Sequence, residues 1–401
     1  MSIADISLHP GAVPGHDVIR VMIVDDAIVV RGLLVRWIEA EAGLQVVASL
    51  RSGREAIEQL ERTNPDVVIL DVDMPDIDGI TALPRLFEKR RDLVVIMSST
   101  LTRRNAEVSL RALSLGAADY VPKPESTREI TNSASFRRDL VEKIRALGAR
   151  RKQRLSSARS LPWAVPPAKP RPVGEGATGA GSRHVASADA APPSDFAAFK
   201  LRSWPTVPPR VLLIGSSTGG PQALGAIVAS IGGIIDQAPV LITQHMPPTF
   251  TTILAEILER ASGRPAREAV DGEALRSGRI YIAPGGRHLR AVRRNGAPAV
   301  ALDDGPPINF CKPAVDPMFS SAAEAWGNAN LALVLTGMGS DGTRGAADVV
   351  AAGGSVIAQD EETSVVWGMP GSVTRAGLCS AVLPVEQIAV KLTSLFGGVR
   401  A

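Results

Sequence analysis

A proline- and alanine-rich basic stretch cuts this sequence in two. Residues 150–210 hold 10 of the 30 prolines, and no helical or alternating apolar period runs through them. Proline lacks the backbone N–H that helices and central strands require, so one continuous core across this stretch is excluded. The same residues carry 11 Lys and Arg against 3 Asp and Glu, a local charge of +8 that leaves the rest of the 401-residue chain, whose total is +3, at −5. With few aromatics and no DNA-reading motif nearby, the stretch reads as a solubilising tether, and no nucleic acid is expected as a partner. The expected layout is a disordered leader (1–16), a first domain (17–145), a flexible basic linker (146–207) and a second domain (208–401). Each domain is long enough to bury a core of its own.

Both domains show apolar strand-type runs alternating with helical periods, the signature of α/β doubly wound parallel sheets. No apolar run approaches the ~18 to 20 residues that span a bilayer, and the first residues lack a secretory pattern. The expectation is a cytoplasmic protein without membrane insertion. Cys311 and Cys379 have no C-x-x-C spacing and read as buried thiols.

In the first domain, VIRVMIVDDA ends in Asp25 and Asp26, and DVVILD ends in Asp71. In a parallel sheet, sites form outside the carboxyl ends of strands, which brings these acids together. Carboxylates so crowded repel one another unless a cation joins them. Oxygen ligands suit Mg2+, with Asp26 and Asp71 binding directly, Asp25 through water, and a backbone carbonyl near Asp73 completing the set. Lys123 follows the strand ADYVPKP and can reach the same cluster; Ser99 ends the strand LVVIMSS. On VDD, LDVDMPDIDG, MSST and YVPKP in this order, residues 18 to about 140 resemble a response-regulator receiver domain, a flavodoxin-like fold. The resemblance implies that Asp71 accepts a phosphoryl group from a histidine kinase with Mg2+ present. It implies further that Ser99, Tyr120 and Lys123 form the switch and that the Lys123-Pro124 bond is cis.

In the second domain, PRVLLIGSSTGGPQAL is an apolar strand running into a Gly/Ser turn and then a helix. Gly215, Ser217 and Gly219 match G-x-S-x-G, the turn that exposes a serine nucleophile; a phosphate cradle at the helix N-terminus is the competing reading. A serine nucleophile needs a base. His9, His16 and His184 lie in the leader and linker, which leaves His245, after the strand PVLITQ, and His288, after RIYIAPGGR. LALVLTGMGSDG supplies Asp341 in a glycine-rich loop that can aim a carboxylate and backbone amides into a site.

Through IGSSTGGPQAL, ITQHMPPTFT, YIAPGGRHL, DDGPPINFCKPAVDPMF, LTGMGSDGTRG and SVVWGMP, residues 208 to about 395 resemble the catalytic domain of the chemotaxis protein-glutamate methylesterases. That resemblance implies Ser217 as nucleophile, His245 as general base and acid, Asp341 as its orienting acid, and backbone amides near Thr218 and Met338 as oxyanion donors. No cofactor is implied in this domain. It also implies a phosphorylation-activated esterase that acts on methyl-accepting chemoreceptors and deamidates receptor glutamines. Ser216, where many members carry Ala, adds a second hydroxyl that makes serine labelling ambiguous. The rivals are a binding module with a vestigial Ser-His-Asp set and an enzyme acting on another protein ester.

Overall fold

The computed structural model describes residues 18–124, 134–159 and 199–397. The expected leader and most of the expected linker lie outside the described residues.

Strands β1 (Ile19–Val24), β2 (Leu44–Leu50), β3 (Val67–Asp71), β4 (Val94–Thr100) and β5 (Asp119–Lys123) form a parallel sheet in the order β2-β1-β3-β4-β5. Val21 to Val24 and Val67 to Leu70 are buried on both faces, so the sheet must be covered twice. Helices α1 (Ile28–Glu39), α2 (Gly53–Thr63), α3 (Gly79–Lys89), α4 (Arg103–Ser114) and α5 (Ala134–Arg159) cover it. Ser52, Asp78 and Thr102 start α2, α3 and α4 by accepting from the backbone N–H of Glu55, Thr81 and Asn105, each cap contributing about 1 kcal/mol.

Helix α5 continues through residues 146–159, which the sequence reading gave to the linker. Charge holds this extension. Arg151 pairs with Asp66 and Asp92, while Arg150 and Arg154 donate to the carbonyls of Glu361 and Glu362 in the second domain. A helix anchored by arginines leaves no apolar period to read.

The second sheet is also parallel. Its strands β6 (Val211–Ser216), β7 (Val240–Gln244), β8 (Ala266–Glu268), β9 (Ile280–Ile282), β12 (Asn330–Val334), β13 (Ser355–Gln359) and β14 (Ala381–Leu383) run in the order β14-β13-β12-β6-β7-β9-β8. An antiparallel hairpin, β10 (His288–Arg294) with β11 (Ala297–Asp303), stands apart from it. Helices α6 (Gly220–Val228), α7 (Gly232–Gln237), α8 (Phe250–Ser262), α9 (Val315–Trp326), α10 (Thr343–Ala351), α11 (Met369–Arg375) and α12 (Val385–Phe396) complete the domain. β6 pairs with β7 on one side and β12 on the other, so the chain winds both ways from β6 and a crevice opens at the carboxyl ends of these three strands.

The two domains share a core. Leu110, Leu113 and Tyr120 of the first domain pack in one buried cluster with Leu224, Phe250 and Ile253 of the second. The Tyr120 ring stacks on Phe250, centroids 4.5 Å apart and planes 6° apart. Among the described residues, no helix is long and apolar enough to cross a membrane.

Candidate active site

Asp25, Asp26 and Asp71 converge at the carboxyl ends of β1 and β3, each offering an oxygen within 4.8 Å of the others. Lys123 bridges Asp25 and Asp71 at 2.7 Å each. Burial pushes the Asp71 carboxyl up to about 6, against the pull of the Lys123 ammonium. Gly79 packs where any Cβ would strike the Asp71 carbonyl, which explains the glycine closing LDVDMPDIDG. The Asp73 carboxylate accepts from Asn105 Nδ2 at 2.8 Å and so is already engaged outside the three-acid cluster. Three crowded carboxylates are an oxygen donor set that suits a hard divalent cation.

The residues expected to form the switch divide. Asp71 pairs in register with Ser98 and Lys123 with Thr100, so Ser98 shares the face of the acidic cluster. Ser99 points the other way, its hydroxyl 2.8 Å from that of Ser109 on α4. Sequence reasoning therefore missed Ser98; the strand phase relative to Asp71 was the signal. The Lys123-Pro124 bond is not cis, contrary to expectation: the one cis bond among the described residues is Lys312-Pro313. Trans is the favoured isomer by about 0.5 to 1 kcal/mol, and Lys123 reaches both acids without the rarer one.

In the second domain, Ser217 sits on the turn between β6 and α6. Gly219 has φ +75°, and a Cβ there would collide with Val365, so only glycine allows the turn. Ser217 is held through its backbone: its N–H donates to Thr336 O at 3.0 Å, and its carbonyl accepts from Gln244 Nε2 at 2.9 Å. No hydrogen bond to its hydroxyl occurs among the described residues. Ser216, by contrast, is fully buried and donates to Gln244 Oε1 at 2.7 Å. The ambiguity expected from a second serine disappears, because that hydroxyl is sequestered.

His245 and His288 separate on their partners. His288 is buried, accepts the Ala314 N–H and contacts the Pro306 carbonyl, a structural role. His245 Nε2 lies 2.7 Å from Asp341 Oδ2. The same carboxylate accepts the N–H groups of Val315, Asp316 and Gly342. Burial acts to raise the Asp341 carboxyl, but His245 and these amides hold it below the usual carboxylate range. An ionised carboxylate only accepts, so Nε2 carries the proton and Nδ1 faces elsewhere. It faces Cys311, whose sulfur is 3.3 Å away. Burial works to lower the imidazole, yet Cys311 and Asp341 together push it up to about 10. Cys379 is buried as expected. Cys311 is not: it is partly exposed at the rim of the site, on the turn it closes with Ile308.

Ser217, His245, Thr218, Cys311 and Met338 line one cleft of about 790 Å³. The backbone N–H groups of Thr218 and Met338 have no partner among the described residues, and both flank this cleft. Receiver-side residues close its other wall, including Tyr120, Arg138, Asp139 and Lys143. Next to Ser217, the Thr218 hydroxyl donates to Asp119 Oδ2 at 2.7 Å, and Lys143 Nζ holds that same carboxylate at 3.1 Å. Gln222 Nε2 adds a bond to Ala117 O at 3.1 Å.

The family model for the CheB methylesterase matches residues 212–392, and that for the response regulator receiver domain matches residues 21–135. A protein from Bradyrhizobium diazoefficiens, a protein-glutamate methylesterase/protein-glutamine glutaminase of group 2 operon, is 60% identical over 96% of this chain and 95% of its own length. The chain belongs to the CheB family. A CheB relative from Rhodopseudomonas palustris (strain HaA2), a protein-glutamate methylesterase/protein-glutamine glutaminase, is 59% identical over 96% of both chains. The crystal structure of the CheB methylesterase catalytic domain of Thermotoga maritima is 45% identical, covering 47% of this chain and all of that one, with a TM-score of 0.46. The CheB chain thus carries a receiver domain and a methylesterase domain, both built on parallel α/β sheets.

Proposed function

We propose that the chain hydrolyses glutamyl methyl esters on the cytoplasmic segments of chemoreceptors, under control of phosphorylation at Asp71 by a histidine kinase. The names of its relatives supply the substrate class. The single observation that carries the chemistry is the His245–Asp341 pair at 2.7 Å, set in the cleft that Ser217 also lines.

Ser217 Oγ attacks the ester carbonyl as His245 Nδ1 takes its proton, and Asp341 stabilises the resulting imidazolium. The carbonyl oxygen gains negative charge and is met by the unpaired N–H groups of Thr218 and Met338. Collapse breaks the C–O bond to the methoxy group, which leaves as methanol with the proton from His245. A water, deprotonated by the same nitrogen, then cleaves the acyl-serine to glutamate and restores Ser217. A receptor glutamine follows the same steps with ammonia leaving. No cofactor is needed here.

In the receiver, spanning about 17–145, Asp26, Asp71 and the backbone carbonyl near Asp73 would hold Mg2+, with Asp25 acting through water; bound there, the ion neutralises charge on the transferring phosphoryl group. Asp71 receives the phosphoryl group, Lys123 pairs with it, and Ser98, in register with Asp71, supplies a hydroxyl on the same face. Tyr120 reads the change, since its ring is stacked into the domain interface. With the receiver walling the cleft, the resting enzyme excludes receptor helices, and phosphorylation must favour an open arrangement by a few kcal/mol to matter. A cytoplasmic location follows from these substrates. The test is labelling with a fluorophosphonate: modification at Ser217, faster with a small phosphodonor and Mg2+, is expected. Labelling elsewhere, or none, would sink the serine assignment.

A further inference from the structure

The sulfur of Cys311 sits where the general base must work. The nitrogen of His245 that Asp341 leaves available is the one in contact with Cys311 Sγ, at 3.3 Å, while the Ser217 hydroxyl has no partner among the described residues. A ring nitrogen cannot serve a thiol and a serine at once. The pairing also works against base function: an imidazole pushed to about 10, with burial opposing and Cys311 and Asp341 raising it, is protonated near neutrality and cannot accept the serine proton.

The turn that carries Cys311 is built to be held. Ile308 and Cys311 exchange two backbone hydrogen bonds, of 3.1 and 2.8 Å. Between them, Asn309 and Phe310 both take left-handed backbone conformations, with φ 49° and 65°, a region that favours glycine. The Phe310 ring projects at the tip, 76% exposed. Its one aromatic-face partner among the described residues is the guanidinium of Arg138, 3.5 Å from the ring centroid, a cation–π contact. Arg138 belongs to α5 of the receiver. So does Lys143, which holds Asp119 and the Tyr120 carbonyl. The receiver therefore grips the turn with the same helix that supports its switch tyrosine.

We propose that Cys311 is a positioning residue that restrains His245 in the resting enzyme, its sulfur occupying the ring nitrogen that Ser217 needs, and that the receiver maintains this hold through Arg138 on Phe310. This rests on the reading of His245 as the base for Ser217. In the held state the proton lies on the ring and the sulfur sits against Nδ1. When phosphorylation moves α5 away, the turn relaxes, the sulfur leaves Nδ1, the ring gives up its proton to water, and the nitrogen lone pair turns to Ser217. The brake is then chemical as well as steric: it lowers kcat in a cleft that is already blocked.

The full-length protein tests this by methanol release from methylated receptor membranes, without and with a phosphodonor and Mg2+. Cys311→Ala should raise the resting kcat about 10- to 100-fold, the size of one hydrogen bond to a charged group, with KM unchanged and with less stimulation left for the phosphodonor. Cys311→Ser, which keeps a smaller hydroxyl near the nitrogen, should fall between. Arg138→Ala should raise the resting rate as well. A Cys311→Ala enzyme with wild-type resting kcat overturns the proposal, and so does one with no activity, which would place the thiol in the reaction. Activity in Ser217→Ala would instead overturn the underlying reading, independently of Cys311. Should the variants fail to fold, iodoacetamide on the wild type gives the answer: Cys311 should alkylate faster after phosphodonor treatment, whereas Cys379, buried and pushed up to about 11 by that burial, stays unmodified. Equal Cys311 rates in both states would overturn the hold.

Discussion

Replacing Asp341 with asparagine exchanges one carboxylate oxygen for an NH2 group and disturbs four hydrogen bonds. Oδ2 accepts from His245 Nε2 at 2.7 Å and from Val315 N at 2.6 Å; Oδ1 accepts from Asp316 N at 3.0 Å and from Gly342 N at 2.9 Å. All four donors point at a residue only 2% exposed. An amide has one accepting end, so whichever way the new side chain turns, two N–H groups meet its NH2 group. Leaving each buried donor unpaired costs about 1 to 3 kcal/mol, which predicts about 2 to 6 kcal/mol lost from the second domain if the NH2 group faces Asp316 and Gly342, and about 1 to 3 kcal/mol if it faces Val315 and a His245 ring that has switched tautomer. At roughly 2 to 4 °C per kcal/mol for a domain of this size, the melting transition should drop by at least about 2 °C. If the amide nitrogen faces His245, the ring must adopt the other tautomer and present an N–H to Ser217, with a rate loss on the order of 10⁴. Differential scanning calorimetry beside methanol release reads both effects. Asp341→Asn with unchanged melting and activity within tenfold of wild type would refute the four-donor geometry and the orienting role together.

Other expectations follow from the same contacts. Thr218→Val removes the hydroxyl bonded to Asp119 but keeps the backbone N–H; losing a hydrogen bond to a charged group, worth about 1.5 to 3 kcal/mol, should raise unphosphorylated activity by about 10- to 100-fold, and an unchanged resting rate would refute the interface role. Lys123→Met removes the cation that pulls Asp71 down, so the Asp71 carboxyl, now about 6, should titrate higher in a carbon-13 NMR titration, and a lower value would contradict this. Because His245 must be neutral to act as base and is held up to about 10, resting kcat/KM should climb with pH towards 10. Cys311→Ala should move that limb to lower pH. Asp341 and Cys311 touch the ring, and Arg138, Asp139, Glu142, Lys143 and Lys312 line the cleft it faces, so a limb that stays put in the variant would point to one of these groups. Ser216→Ala should leave fluorophosphonate labelling intact, since its hydroxyl is buried on Gln244.

What could be read from the sequence is local, and what could not is set by register and distance. Strand runs ending in Asp25, Asp71, Ser217 and His245 announce two parallel sheets with sites at their carboxyl ends, because burial on both faces and the switch-point rule act on short segments. The choice between His245 and His288 was not legible from pattern: both follow apolar strands, and only the tertiary partners, Asp341 for one and Ala314 with Pro306 for the other, separate them. Ser98 and Ser99 are adjacent and chemically alike, and which one faces Asp71 depends on the pairing of β3 with β4. Cys311 reaches His245 across 66 positions of sequence, and nothing in its neighbourhood signals a base contact. The extension of α5 rests on arginines bonded to another domain, which no periodicity records.

The most direct measurement is release of labelled methanol from methylated receptor-containing membranes, comparing wild type with Ser217→Ala, each with and without a small-molecule phosphodonor and Mg2+. Release that requires Ser217 and rises with the phosphodonor is the expected result. Release that persists in Ser217→Ala, or that ignores the phosphodonor in the wild type, would contradict a serine esterase gated by its receiver.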